Sequence, residues 1–243
     1  MKTLAFSNRN AKEILRDKLN LLFGLGFPLI VLALLSVIQS NVPVELFSIK
    51  QLAPGVAIFG LSFIALFSGM LIAKDRASSF MLRLLASPLR PSEFILGYVL
   101  PMLPIAVAQM LVCFAAALLW GLPLTWNILL ALIVSLPAAV FFIALGLLCG
   151  SVFNEKQVGG VCGALLTNVS AWLSGTWFDL SLVGGAFEKA AYLLPFAHAV
   201  QAGRYALNGA YAQIWLHLLW VLGYAVVMLW VATTVFTRKM KSQ

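Results

Sequence analysis

Five stretches of this chain, residues 19–44, 51–73, 94–154, 157–178 and 205–237, contain no Asp, Glu, Lys or Arg. An unpaired charge at the centre of a bilayer is expensive, and a helix needs about 20 apolar residues to cross one. The third stretch is too long for a single crossing. It is broken at Trp120-Gly121-Leu122-Pro123-Leu124-Thr125-Trp126-Asn127, where Gly and Pro punctuate a helix and paired tryptophans suit a headgroup layer. Six crossings follow, expected over residues 19–41, 52–73, 94–119, 128–150, 158–178 and 212–236. The composition is 62% hydrophobic and 10% charged, with a mean hydropathy of +1.00, against about 45–50% apolar and about 25% charged in soluble domains. Lipid is the expected solvent, and a single all-α, polytopic membrane domain over 1–243 is the expected fold.

The net charge of +8 sits in the flanks of the apolar stretches, which points to a membrane surface and not to nucleic acid. Residues 190–203, between Lys189 and Arg204, are mostly apolar but too few to cross, as expected of a re-entrant or interfacial piece. Six crossings put both termini on one side. Of sixteen Lys and Arg residues, Lys50, Lys189 and Arg204 then take one face and the other thirteen take the opposite face. The positive-inside rule makes the thirteen-cation face cytoplasmic, with both termini on it and residues 179–210 as a short extracellular re-entrant region. The first crossing lacks a signal-peptide pattern and is expected to be retained.

Residues 1–18 fit an interfacial helix with Leu4, Ala11, Ile14 and Leu15 on one side and Arg9, Lys12, Glu13 and Arg16 on the other; Phe6 and Lys18 are exceptions to that pattern. Between the second and third crossings, residues 75–92 hold about two turns of helix before Pro88, with Asp75, Ser78 or Ser79 as a candidate cap. Phe80, Met81, Leu84 and Leu85 share a face that needs cover from lipid, from the chain's own bundle or from a partner protein.

Cys113, Cys149 and Cys162 fall inside apolar runs and read as packing residues. Gly146 with Gly150, and Gly159 with Gly163, have the small-x-x-x-small spacing that brings helices close in lipid. Pro101 and Pro104 are expected to kink the third crossing. Phe59, Phe63 and Phe67 make an aromatic stripe along the second crossing, and Thr167, Asn168 and Ser170 put polar groups at mid-depth in the fifth. His198 and His217 are separated by an expected interface and have poor metal-ligand spacing; His198 and Arg204 read as interfacial. The crossings hold no cluster of acid, base or metal ligands, so no catalytic residue, metal or cofactor is expected on this chain. An ion-coupled secondary transporter is the rival reading, but it calls for intramembrane charges and an internal repeat that do not appear.

The order of basic helix, crossing, Leu52-Ala53-Pro54-Gly55, crossing, Lys74-Asp75-Arg76 to Ser87-Pro88-Leu89 and then Phe94-Ile95-Leu96-Gly97 resembles type-2 ABC exporter permeases over essentially the whole chain. The resemblance implies an inner-membrane (plasma-membrane) subunit that pairs with a second copy or a paralogue and works with cytoplasmic ABC ATPase subunits carrying ATP and Mg. It implies that residues 75–92 are the coupling segment, with Asp75, Arg76, Phe80, Met81, Arg83, Leu84 and Leu85 at the ATPase. It also places the second and fifth crossings on the export route, with Phe59, Phe63, Phe67, Thr167, Asn168 and Ser170 lining it. The chain has no G-x-x-x-x-G-K-[ST] run, so ATP is expected to be handled elsewhere.

Overall fold

The computed structural model describes residues 2–43, 47–80 and 91–241, all of whose regular structure is helical. Helix α1 (Lys2–Arg16) is followed by α2 (Lys18–Asn41), and Asp17 between them caps α2 by accepting the Asn20 N–H at 3.2 Å. Then come α3 (Ile49–Ala77), α4 (Pro91–Leu119) and α5 (Trp126–Val152). Five helices are long and apolar enough to cross a membrane, the fifth being α10 (Tyr211–Lys241). The all-α, polytopic membrane fold is therefore present.

The chain expected to cross over 158–178 is helical from 155 to 173, but in pieces: α6 (Glu155–Val158), a π-helical stretch (Gly159–Leu166) and α7 (Thr167–Leu173). A capping box between Asn154 and Gln157 starts it. Inside it the Thr167 hydroxyl donates to Cys162 O five residues back, at 3.0 Å, which is the spacing a π turn leaves open. Helix ends at Leu173 because Ser174 and Thr176 bond each other and Gly175 takes φ +69°.

The core is organised around α3. Its apolar window is 83% buried, against 22% for α2 and 17% for α10, so those two are peripheral. Helix α2 fully buries only the narrow stripe Gly24, Pro28, Leu32 and Ser36. Gly146 and Gly150 do bring α5 close to α3: a Cβ on either would strike the carbonyl of Ala65 or Gly69. Ser68 adds an interhelical hydrogen bond to Ile143 O at 3.2 Å. Gly159 faces open space, and Gly163 meets only Leu66.

After α7 the chain forms a short 3-10 turn (Leu180–Leu182) capped by Asp179, then α8 (Gly185–Leu193) and α9 (Pro195–Asn208). Fourteen residues of helix span about 21 Å, less than a hydrocarbon core. Helix α9 packs on α3, α5 and α10 and turns back at Gly209, where φ is +75°.

Candidate functional site

Polar chemistry in the bundle gathers at the two ends of α3. At the carboxyl end, helix α3 continues through Asp75, so Asp75 does not cap a new helix; Ser78 ends α3 instead. The Asp75 carboxylate is 1% exposed. It accepts from Arg9 Nη1 at 2.7 Å and from the Tyr98 hydroxyl at 2.9 Å, which ties α1, α3 and α4 together. Arg9 also pairs with Glu13 at 2.5 Å, and Glu13 with Lys74 at 3.1 Å. Burial works against the Arg9 charge, but the hydrogen bond and charge of Asp75 outweigh it, and its pKa stands above the ordinary guanidinium value.

Aromatic packing seats this clamp. Phe6 is 6% exposed and meets Tyr98 edge-on at 5.0 Å, with Phe80 at 6.2 Å and Phe94 at 6.4 Å. It fits because Gly97 has no side chain: a Cβ there would overlap the Phe6 ring. Asn10, fully buried, donates to Gly97 O at 3.0 Å. The Arg9 guanidinium lies 4.2 Å over the Phe80 ring, close enough for a cation–π contact.

Of the residues expected to meet an ATPase, Asp75 is consumed by this internal clamp. Arg76 donates to Gly150 O at 2.7 Å and is tied to the end of α5, where a helix carboxyl terminus favours a cation. Phe80 is half-buried against Phe6 and Arg9. Met81, Arg83, Leu84 and Leu85 lie outside the described residues.

The aromatic stripe divides. Phe59 and Phe63 lie 5.8 Å apart and join Phe27 of α2, at 6.1 and 5.5 Å, and Trp177, 5.2 Å from Phe59. Phe67 stands apart from these rings, packed over Gly24. Thr167 and Ser170 are buried and bond carbonyls of their own helical run, Cys162 O and Thr167 O. Asn168 is exposed and donates to Ala164 O at 2.8 Å.

At the amino end of α3, Arg204 of α9 reaches across to donate from Nε to Gln51 O at 3.1 Å and from Nη2 to Gly175 O at 2.7 Å. It borders a void of about 400 Å3 with Thr176, Trp177 and Asp179. Beside it, His198 and His217 meet with their Nδ1 atoms 2.7 Å apart, and His198 Nε2 faces Tyr192 O at 2.8 Å. Sequence spacing set these histidines apart; the turn at Gly209 folds α10 back along α9 and joins them. Cys149 and Cys162 are likewise neighbours in one buried cluster with Ala73 and Val158.

A helical bundle with five crossing-length apolar helices, clamped at one end of α3 by buried polar side chains, defines a multi-pass membrane protein. The chain belongs to the ABC-2 type transporter family, whose model matches residues 1–208. It is also similar to ABC transporter G family member 20 of Dictyostelium discoideum, at 24% identity over 200 residues. That match covers 80% of this chain and 27% of the relative, so the chain spans about a quarter of the relative's length. The family is that of a membrane-spanning permease component, and this chain is such a component.

Sequence reasoning missed Phe6, Tyr98, Phe27, Trp177 and the histidine pair. Phe6 did leave a signal, as the large apolar group on the wrong side of an amphipathic helix. Gly97, noted only as part of a motif, is where that group seats.

Proposed function

We propose that this chain is the permease subunit of an ATP-driven exporter, working as a dimer with a second copy or a paralogue and coupled to separate cytoplasmic ABC ATPase subunits that carry ATP and Mg. The helical run 155–173 is the fifth of six crossings in this reading, and residues 179–210 re-enter the membrane from outside. Both termini are cytoplasmic, and the membrane is the cell's inner, or plasma, membrane.

The observation that carries the reading is the three-helix clamp at Asp75. It joins α1 to the helix ends on either side of residues 81–90, so a push on that connection is passed to α1, α3 and α4 as one rigid junction. Rigid junctions with few alternative packings transmit displacement instead of absorbing it. Asp75 and Arg76 then act as internal struts of the coupling device. Phe80, Met81, Arg83, Leu84 and Leu85 supply its contact with the ATPase.

The substrate route runs along Phe59 and Phe63 with Phe27 and Trp177, and past Thr167, Asn168 and Ser170; Phe67 marks its lower end. An exposed Asn168 at mid-depth, with Ala164 also exposed one turn before it, favours a protein neighbour over lipid, which supports a second permease there. Copurification of the partner ATPase tests the coupling part. Leu84→Ala combined with Phe80→Ala is expected to lose the ATPase while the permease stays inserted. Unchanged association in that double variant overturns the assignment of residues 75–92.

A further inference from the structure

We infer that the void beside Arg204 is a binding site for the anionic head of an amphipathic molecule whose apolar body lies on the Phe47, Trp177 and Phe178 rings that line it. The inference rests on the proposed export route and names the class of molecule that the route accepts.

A guanidinium has five N–H donors in a planar fork. Arg204 spends one from Nε on Gln51 O and one from Nη2 on Gly175 O, both uncharged acceptors that come from different elements. Those two bonds fix the plane of the fork and leave its remaining donors beside a void of about 400 Å3. Among the described residues no carboxylate lies within 4.0 Å of it to form an ion pair. A half-buried cation oriented by carbonyls is a pre-set receptor for a planar or tetrahedral anion, because the cost of ordering the side chain is met before the ligand arrives.

The walls specify the rest of the ligand. Phe47, Trp177 and Phe178 line the same void, and the Trp177 ring is backed edge-on at 5.2 Å by Phe59, which is 4% exposed and meets Phe63 at 5.8 Å. An inorganic anion uses none of that surface, whereas an amphipath uses both ends. Thr176, whose hydroxyl lies 2.6 Å from Ser174 Oγ, adds a neutral polar group at the junction. Asp179 also lines the void, but its Oδ1 accepts the Ser181 N–H at 3.0 Å and the residue is exposed. From the solvent rim its charge acts on Arg204 and opposes any incoming anion, so it limits the strength of the site.

The test compares two probes of equal length, a fluorescent long-chain fatty acid and its methyl ester, bound to the purified permease in nanodiscs of neutral lipid. The acid is expected to bind about tenfold more tightly than the ester, in keeping with a charge-assisted fork contact. Arg204→Gln brings the two affinities together, Arg204→Lys keeps part of the preference, and Asp179→Asn widens it. Equal binding of acid and ester by the unaltered protein, or an acid preference that survives Arg204→Gln, overturns the site. Should Arg204→Gln fail to fold, the opposite responses of Arg204→Lys and Asp179→Asn decide. Phe59→Ala and Phe63→Ala separate this inference from the route beneath it, since both are expected to weaken the two probes alike. If they change neither while the Arg204-dependent preference persists, the anion site stands and the aromatic route falls.

Discussion

The two ends of α3 each bring a charge to the edge of an apolar bundle, and they treat it in opposite ways. At Asp75 the charge is closed off: a 1% exposed carboxylate meets a guanidinium and a phenol, with Glu13 and Lys74 extending the chain of pairs. At Arg204 the charge is held open, by two neutral carbonyls and next to a void. A closed network fixes helices to each other, while an open cation leaves its field for a ligand. In the proposed function the closed end transmits and the open end receives.

If the Asp75 end is a packed junction, removing its central ring does the most damage. Phe6→Ala is expected to cost about 3–4 kcal/mol, as for other buried aromatic truncations, and a denaturant titration in detergent checks it. A loss under about 1 kcal/mol places Phe6 on lipid and dissolves the junction. Arg9→Ala leaves the Asp75 carboxylate buried with only Tyr98, which is expected to cost about 3 kcal/mol. Adding Asp75→Asn to it should restore much of that loss, because the stranded charge is gone. A double variant as unstable as the single one argues against charge pairing as the source.

The open end predicts less. Arg204→Gln strands two neutral carbonyls that water reaches, so about 1 kcal/mol is expected there. A loss as large as that of Arg9→Ala makes Arg204 a strut of the same kind and erases the contrast. Smallest is a pH effect at the histidine pair. Tyr192 O only accepts, so His198 Nε2 carries its proton; neutral His198 then accepts at Nδ1 from the His217 N–H. Burial holds the His198 pKa below its ordinary value. A depressed histidine gives stability that is complete above the ordinary value of about 6.5 and is lost as pH falls through the lower folded value. A small fall in Tm is expected between neutral and mildly acid pH and should shrink in His198→Gln, with His217 left as the one histidine of the pair. A rise in Tm on acidification contradicts that pairing.

Much of the architecture was legible because the cost of putting a charge in lipid acts residue by residue, so charge-free windows mark helices without any knowledge of neighbours. What depended on distant partners was not. The Arg9–Asp75 pair spans 66 positions, and nothing local to Asp75 separates a buried strut from an exposed cap. The helical run 155–173 is divided into α6, a π stretch and α7, a change of backbone pitch that hydropathy does not register. Phe80 was legible as apolar but not as the ring under Arg9. The aromatic stripe was visible by its spacing, yet the departure of Phe67 from it is decided by Gly24 on another helix.

If, as proposed, ATP hydrolysis on a partner drives molecules through this permease, transport must follow ATP and not an ion gradient. The most direct measurement reconstitutes the permease with its ATPase in sealed vesicles, ATPase side outward, and follows uptake of an amphipathic fluorescent anion. Uptake is expected to need ATP, to stop with vanadate and to be indifferent to collapse of ion gradients. Uptake that proceeds without ATP and disappears when the ion gradients are collapsed would contradict the proposal and make the protein an ion-coupled transporter.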